Sequence, residues 1–222
     1  SGISTRHSWS PLARLLFTDT ATPETYPPSL RGALPIYNAV HWAALAERSL
    51  GAGRGIDDVV HVHLAEGMGA AVISGGVLVR GAHGLAAEIA YAPAGVQREG
   101  QVSALFGAME SIGVVVSGSG RTIVDVGRVS AVLDRGGARA GAVVDAVRTV
   151  VLGACRLLDP AAVVLGGSWG RHPALVGGLR DALTRESGLE VEVRERELDE
   201  APLVGARRAA VSALRDSLVP TP

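Results

Sequence analysis

Residues Glu66 to Tyr91 read EGMGAAVISGGVLVRGAHGLAAEIAY, and this stretch decides the fold. Two β-branched runs, Val59–Val62 and Ala70–Ile73, flank the turn Glu66-Gly67-Met68-Gly69 in a strand–turn–strand pattern. Neither Gly67 nor Gly69 carries a Cβ, so positive φ and a close approach of the backbone to another group are expected there. Such a turn can aim its N–H groups at an anion or a polyol. A short glycine pattern also suits an ordinary tight hairpin, and the turn alone leaves both readings open.

Working outward, Gly75-Gly76 marks a second turn, followed by Arg80-Gly81-Ala82-His83-Gly84 and Ala87-Glu88-Ile89-Ala90-Tyr91. Tyr37-Asn38-Ala39-Val40-His41-Trp42 lies upstream. Leu158-Asp159-Pro160 leads downstream into Val163-Val164-Leu165-Gly166-Gly167. In this order the motifs resemble the ROK family of bacterial sugar kinases and sugar-responsive repressors, over Asn38 to Leu218. The resemblance implies an α/β, actin-like (ribonuclease-H-like) ATPase fold, incomplete here, with the N-terminal lobe largely missing. It also implies a small sugar ligand, a cytoplasmic location and a homodimer as one accessible state.

Periodicity agrees with α/β alternation. Helices are expected over Val40–Leu50, ended by Gly51 and Gly53, and over Val102–Ile112, Val124–Leu133, Ala140–Leu158, Leu175–Thr184 and Pro202–Leu218. Strands are expected at Val59–Leu64, Ala70–Ser74, Val77–Arg80, Val163–Leu165 and Leu189–Val193. The wide apolar face of Ala140–Leu158 suits a core or an interface.

At 222 residues, with 47% hydrophobic content, the chain can bury a real core. No run approaches the roughly 18 apolar residues of a membrane span. A net charge of −1 advertises neither a nucleic-acid nor a membrane surface. The chain begins with Ser and shows no signal peptide, so it is expected to start inside a longer gene. Its single cysteine, Cys155, excludes an internal disulfide and sits in a helical apolar pattern, as a buried structural thiol does.

Two segments are expected: an irregular remnant over 1–36 and the ROK-like lobe over 37–222. Pro23, Pro27, Pro28 and Pro35 break helices and forbid central strands. Residues 15–36, LLFTDTATPETYPPSLRGALPI, resemble translated sequencing-adapter DNA and are expected to be artefactual, with little regular structure.

The family resemblance assigns the candidate site. Its kinases use an Asp at the start of the Asn-Asp helix as general base. Asn38 matches the sugar-binding Asn, but the base position is Ala39, whose methyl group accepts no proton. No catalytic residue is therefore assigned, and Asp to Ala being a single-base change leaves a sequence error open as its origin. Glu88 matches the sugar-contacting Glu of the family's Glu-x-Gly-His segment, and a carboxylate accepts several hydroxyl hydrogen bonds. His83 is a weaker sugar candidate. The phosphate hairpin corresponds to Glu66, Gly67 and Gly69, with Glu66 replacing a Thr and setting a negative charge against phosphate. Gly166 and Gly167 match the nucleotide-side turn. The family's zinc-binding His is Tyr91 here and no cysteine cluster follows, so no metal is expected. His61 and His63 alternate on one face of a strand and read as surface or satisfied core residues.

Two functions stay open. One is the sugar-sensing effector part of a ROK-type transcriptional regulator, without cofactor, which would contact DNA only through an N-terminal helix-turn-helix absent from this chain. The other is a truncated sugar kinase requiring ATP and Mg²⁺.

Overall fold

The computed structural model describes residues 38–98, 101–118, 121–186, 188 and 190–218. The suspected foreign segment 15–36 lies outside the described residues. In chain order the elements are α1 (Ala39–Leu50), β1 (Val59–Leu64), β2 (Met68–Ser74), β3 (Val77–Val79), a 3₁₀ turn (Ile89–Tyr91), β4 (Pro93–Arg98), β5 (Gln101–Ala104) and α2 (Leu105–Ile112). They continue with β6 (Val115–Gly118), β7 (Arg121–Val124), α3 (Val126–Arg135), α4 (Gly137–Leu158), β8 (Ala162–Gly166), α5 (Pro173–Glu186), β9 (Glu192–Glu195) and α6 (Ala201–Leu218).

Five strands form one mixed sheet in the order β3-β2-β1-β8-β9. β1, β2 and β3 run antiparallel, while β8 lies parallel to β1 and β9 parallel to β8. β4–β5 and β6–β7 are separate hairpins. The hairpin expected from the opening stretch is present, with Leu64 paired to Met68 across Ala65-Glu66-Gly67. The β2–β3 turn takes positive φ at Gly75 and Gly76 (54° and 78°), the handedness tight hairpins require.

Both faces of β1 are buried, and its alternation feeds two cores. Val60, Val62 and Leu64 join the larger core with residues of α2, α3, α4 and α5. Val59 turns to the opposite face with Ala71, Ile73 and Val164, against Ala44 of α1. The buried stripe of α4, including Val143, Val147, Val150, Val151 and Cys155, belongs to the larger core, so this helix is structural. Burial pushes the Cys155 thiol up to about 11, as befits an inert core residue.

Several sequence expectations need correction. Val102–Ile112 is not one helix: its first residues form β5, and α2 begins at Leu105. Strands β4, β6 and β7 had no forecast, because four- to six-residue strands carry little periodicity of their own. Helix α3 starts at Val126 rather than Val124 because the Asp125 carboxylate accepts from Arg128 N at 3.0 Å, an N-cap. The last strand lies at Glu192–Glu195, where pairing with Ala162–Leu165 sets its register. Gly67 and Gly69 do not adopt positive φ. At Gly69 the close approach is internal, since a Cβ there would stand 3.0 Å from Val40 Cγ2 of α1.

Helices α1 and α6 cross tightly: a Cβ on Gly205 of α6 would overlap the Trp42 carbonyl of α1. A carboxylate secures the same junction. Glu47, 1% exposed, accepts from Ala52 N at 2.8 Å, Glu197 N at 3.2 Å and Leu198 N at 2.9 Å. Glu47→Ala leaves those donors without this acceptor and should lower unfolding stability by about 3 kcal/mol. Glu47→Gln keeps one acceptor oxygen and should fall between alanine and wild type. Urea denaturation of the three proteins measures the order, and equal midpoints would contradict it.

Candidate functional site

The N-terminus of α1 is built by Asn38. Its Oδ1 accepts from His41 N at 2.8 Å, so the residue matched to a sugar contact is also the helix N-cap. Ala39 is the first residue of the helix and is half-buried. His41 is buried, and its pKa is lowered by burial and secondarily by the Arg80 charge.

Asn38 and Glu88 both flank the start of β2. Val40, two residues beyond Asn38, meets Gly69, while Ala70 N donates to Ala87 O at 3.2 Å, immediately before Glu88. Glu88 is half-buried and precedes the 3₁₀ turn whose Ile89 is anchored in the core. Ala87 has φ +65°, a left-handed conformation unusual for a residue with a side chain. His83 is exposed in the turn between Gly81 and Gly84.

Glu66 sits exposed at the hairpin tip, and its carbonyl accepts from Val124 N at 2.9 Å. Gly67 beside it faces open space. The Gly166-Gly167 turn packs against the other end of the same hairpin. Gly167, at φ +86°, lies on the Leu64 backbone, Trp169 N donates to Leu64 O, and Trp169 Nε1 donates to Ala65 O at 3.0 Å. Close packing therefore accounts for the glycine at 167 without a nucleotide.

On the α1–α6 side of the sheet, a cavity of about 320 Å³ is lined by His61, His63, Gly166, Gly167, Arg196 and Glu200, among others. His61 and His63 do share a face, with ring centroids 6.4 Å apart. The expectation of a surface or satisfied residue fails at His61, which is 1% exposed with neither ring nitrogen hydrogen-bonded. Gly166 permits this placement, because a Cβ there would stand 3.0 Å from His61 Cε1. Burial, with a smaller contribution from His63, pulls the His61 pKa down to about 3. The His63 pKa is also lowered, by burial first and then by Arg196. The His-x-His alternation was the only sequence signal for this wall. Nothing marked Arg196 or Glu200, which arrive from the β9–α6 connection.

Among the described residues no group of three or more His, Cys, Asp or Glu is placed to hold a metal ion. No described helix is long and apolar enough to cross a membrane.

The sheet order, the helices on both of its faces and the glycine turns at the strand ends define a mixed α/β, actin-like ATPase fold. The ROK family model matches residues 31–106, from within the suspected foreign segment through the hairpin to α2. Over that stretch the chain is similar to ROK family proteins, and it covers only part of the length of the relatives matched. A bifunctional enzyme NanE/NanK of Brucella suis biovar 1 is 28% identical over 183 residues, 76% of this chain and 34% of that protein. The chain thus spans about a third of that curated relative. A ROK hexokinase from Thermus thermophilus is 26% identical with a TM-score of 0.56, covering 82% of this chain and 66% of that one. A ROK family transcriptional regulator, homologous to the E. coli MLC protein, shares the fold at 18% identity and a TM-score of 0.60, over 82% of this chain and 52% of that one.

His61 makes stability depend on pH. The unfolded chain takes up its proton near pH 6.5, whereas the folded protein resists until about pH 3. Folding stability from this group is fully present above pH 6.5 and is lost progressively as pH falls towards 3, with a slope approaching about 1.4 kcal/mol per pH unit. Urea unfolding between pH 7.5 and 5 should show a steeper loss for wild type than for His61→Leu. Parallel slopes would contradict the assignment.

Proposed function

We propose that this chain is the sugar-binding effector portion of a ROK-type transcriptional regulator and that it binds a small sugar without phosphorylating it. Asn38, Glu88 and, more weakly, His83 are the proposed sugar contacts, and contact with DNA is assigned to a helix-turn-helix outside this chain. The observation that carries this reading is Ala39 at the first position of α1, directly after the capping Asn38. Phosphoryl transfer to a sugar hydroxyl needs a base where the attacking oxygen sits, and a methyl group supplies none. The exposed Glu66 carboxylate at the hairpin tip supports the same reading, since it repels the phosphates that Mg²⁺-ATP would bring to Gly67 and Gly69. The residues present therefore do not fit ATP chemistry at this hairpin.

A truncated sugar kinase is the second reading. It is favoured by the hexokinase among the similar solved structures. The two readings separate on turnover.

The chain supplied with ATP, Mg²⁺ and either N-acetylmannosamine or glucose should release no sugar-dependent ADP in a coupled assay. A positioned base alone is worth about 10²–10⁴-fold. Ala39→Asp should remain inactive unless an N-terminal lobe is also supplied. Calorimetric titration should detect sugar binding by wild type, weakened about tenfold or more in Glu88→Gln through loss of a charged acceptor. Sugar-dependent turnover by the unmodified chain would overturn the non-catalytic reading.

A further inference from the structure

A second cavity, of about 440 Å³, shares no lining residue with the histidine cavity. Three of its lining residues are arginines: Arg128 on α3, Arg135 in the last turn of α3, and Arg139 in the first turn of α4. The remaining wall comes from Gly113, Gly127, Ala131 and Val132, together with Asp125, its only carboxylate. The site adjoins the hairpin, since Val124 N, one residue before Asp125, donates to Glu66 O.

The charge in this concavity is not balanced by its own residues. Asp125 is already committed, accepting from Arg128 N at 3.0 Å as the α3 cap and facing Arg128 Nε at 3.3 Å. Arg139 is held in place by donation from Nη2 to Ile112 O at the end of α2. Neither α3 nor α4 carries an acidic residue in its first turn. Guanidinium groups keep their charge at any physiological pH, and gathering three around one carboxylate leaves a net positive concavity that concentrates anions. Planar guanidinium donors match the oxygens of a phosphate group, and the volume is at the small end of ligand sites, about 300–1,000 Å³.

We propose that this cavity binds the phosphate group of a small phosphate monoester, with Arg128 and Arg135 as its direct contacts and Arg139 completing the positive wall. The site is independent of Asn38, Ala39 and Glu88 and does not depend on the sugar-binding reading. It places phosphate recognition beside the hairpin while Glu66 keeps phosphate from the tip itself.

Glucose 6-phosphate and AMP, with glucose and adenosine as controls, are titrated by calorimetry into the 222-residue chain and into Arg135→Gln and Arg128→Gln/Arg135→Gln. Both arginines line an open surface cavity, so the variants should melt within a degree or two of wild type, which thermal unfolding checks. At least one ester should bind saturably, more weakly at higher salt, with affinity reduced about tenfold in the single variant and further in the double. The ester that binds identifies the source, sugar phosphate or nucleotide. The proposal is overturned if neither ester binds wild type, if the double variant binds the esters as wild type does, or if the arginine substitutions weaken the unphosphorylated control as much as the ester. The ester titrations are repeated in the Glu88→Gln background, where arginine-dependent binding that persists belongs to this cavity, and binding that disappears belongs to the sugar site and overturns the proposal.

Discussion

The buried carboxylate of Glu47 is the constraint on which the two sides of this fold depend. It lies near the end of α1 and accepts from Ala52 just beyond the helix, which turns the chain towards β1. The same oxygens accept from Glu197 and Leu198, about 150 residues away, on the link between β9 and α6. A charge removed from water in this way is tolerated only when its oxygens are filled with donors, and three backbone N–H groups fill them. Gly51 is required beside it, because a Cβ there would overlap the Glu47 carboxylate. The contact pins the first helix of the lobe to its last, and so sets where Arg196 and Glu200 stand relative to His63.

The second constraint is that the central sheet is buried on both faces. On one face of β1, Val60, Val62 and Leu64 enter the larger core, and on the other Val59 enters the smaller one. The same alternation carries His61 to the α1–α6 face, where no hydrogen-bond partner meets it. A neutral imidazole is the form such a site stabilises, which is why its acid–base behaviour departs so far from that of a free side chain.

At the candidate site, scaffold and chemistry separate. Asn38 caps α1, Gly69 admits Val40, Gly167 admits the Leu64 backbone, and Ile89 anchors the turn after Glu88. Each of these residues has a packing or capping reason to be what it is, whatever ligand the protein holds. Ala39 and Glu66 are where the chain departs from the pattern that the family resemblance implies. A match at Asn38 therefore argues less for sugar binding than it does in isolation.

Local pattern determined a large part of this protein. The apolar periodicity of α4, the helix-capping glycine at Gly51, the strand–turn–strand run around Glu66 and the ordered glycine motifs were legible without coordinates, because each is an i-to-i+4 or i-to-i+2 matter. The short strands β4 to β7 were not legible, since four to six residues become a strand through a partner rather than through their own propensity. Nor could the sequence tell that Gly69 serves a helix, that His61 lacks partners, or that Arg128, Arg135 and Arg139 share one cavity. Those facts depend on which elements are brought together across the chain. Tertiary packing alone decided them, because contacts such as Glu47 with Leu198 act between residues that local sequence cannot relate.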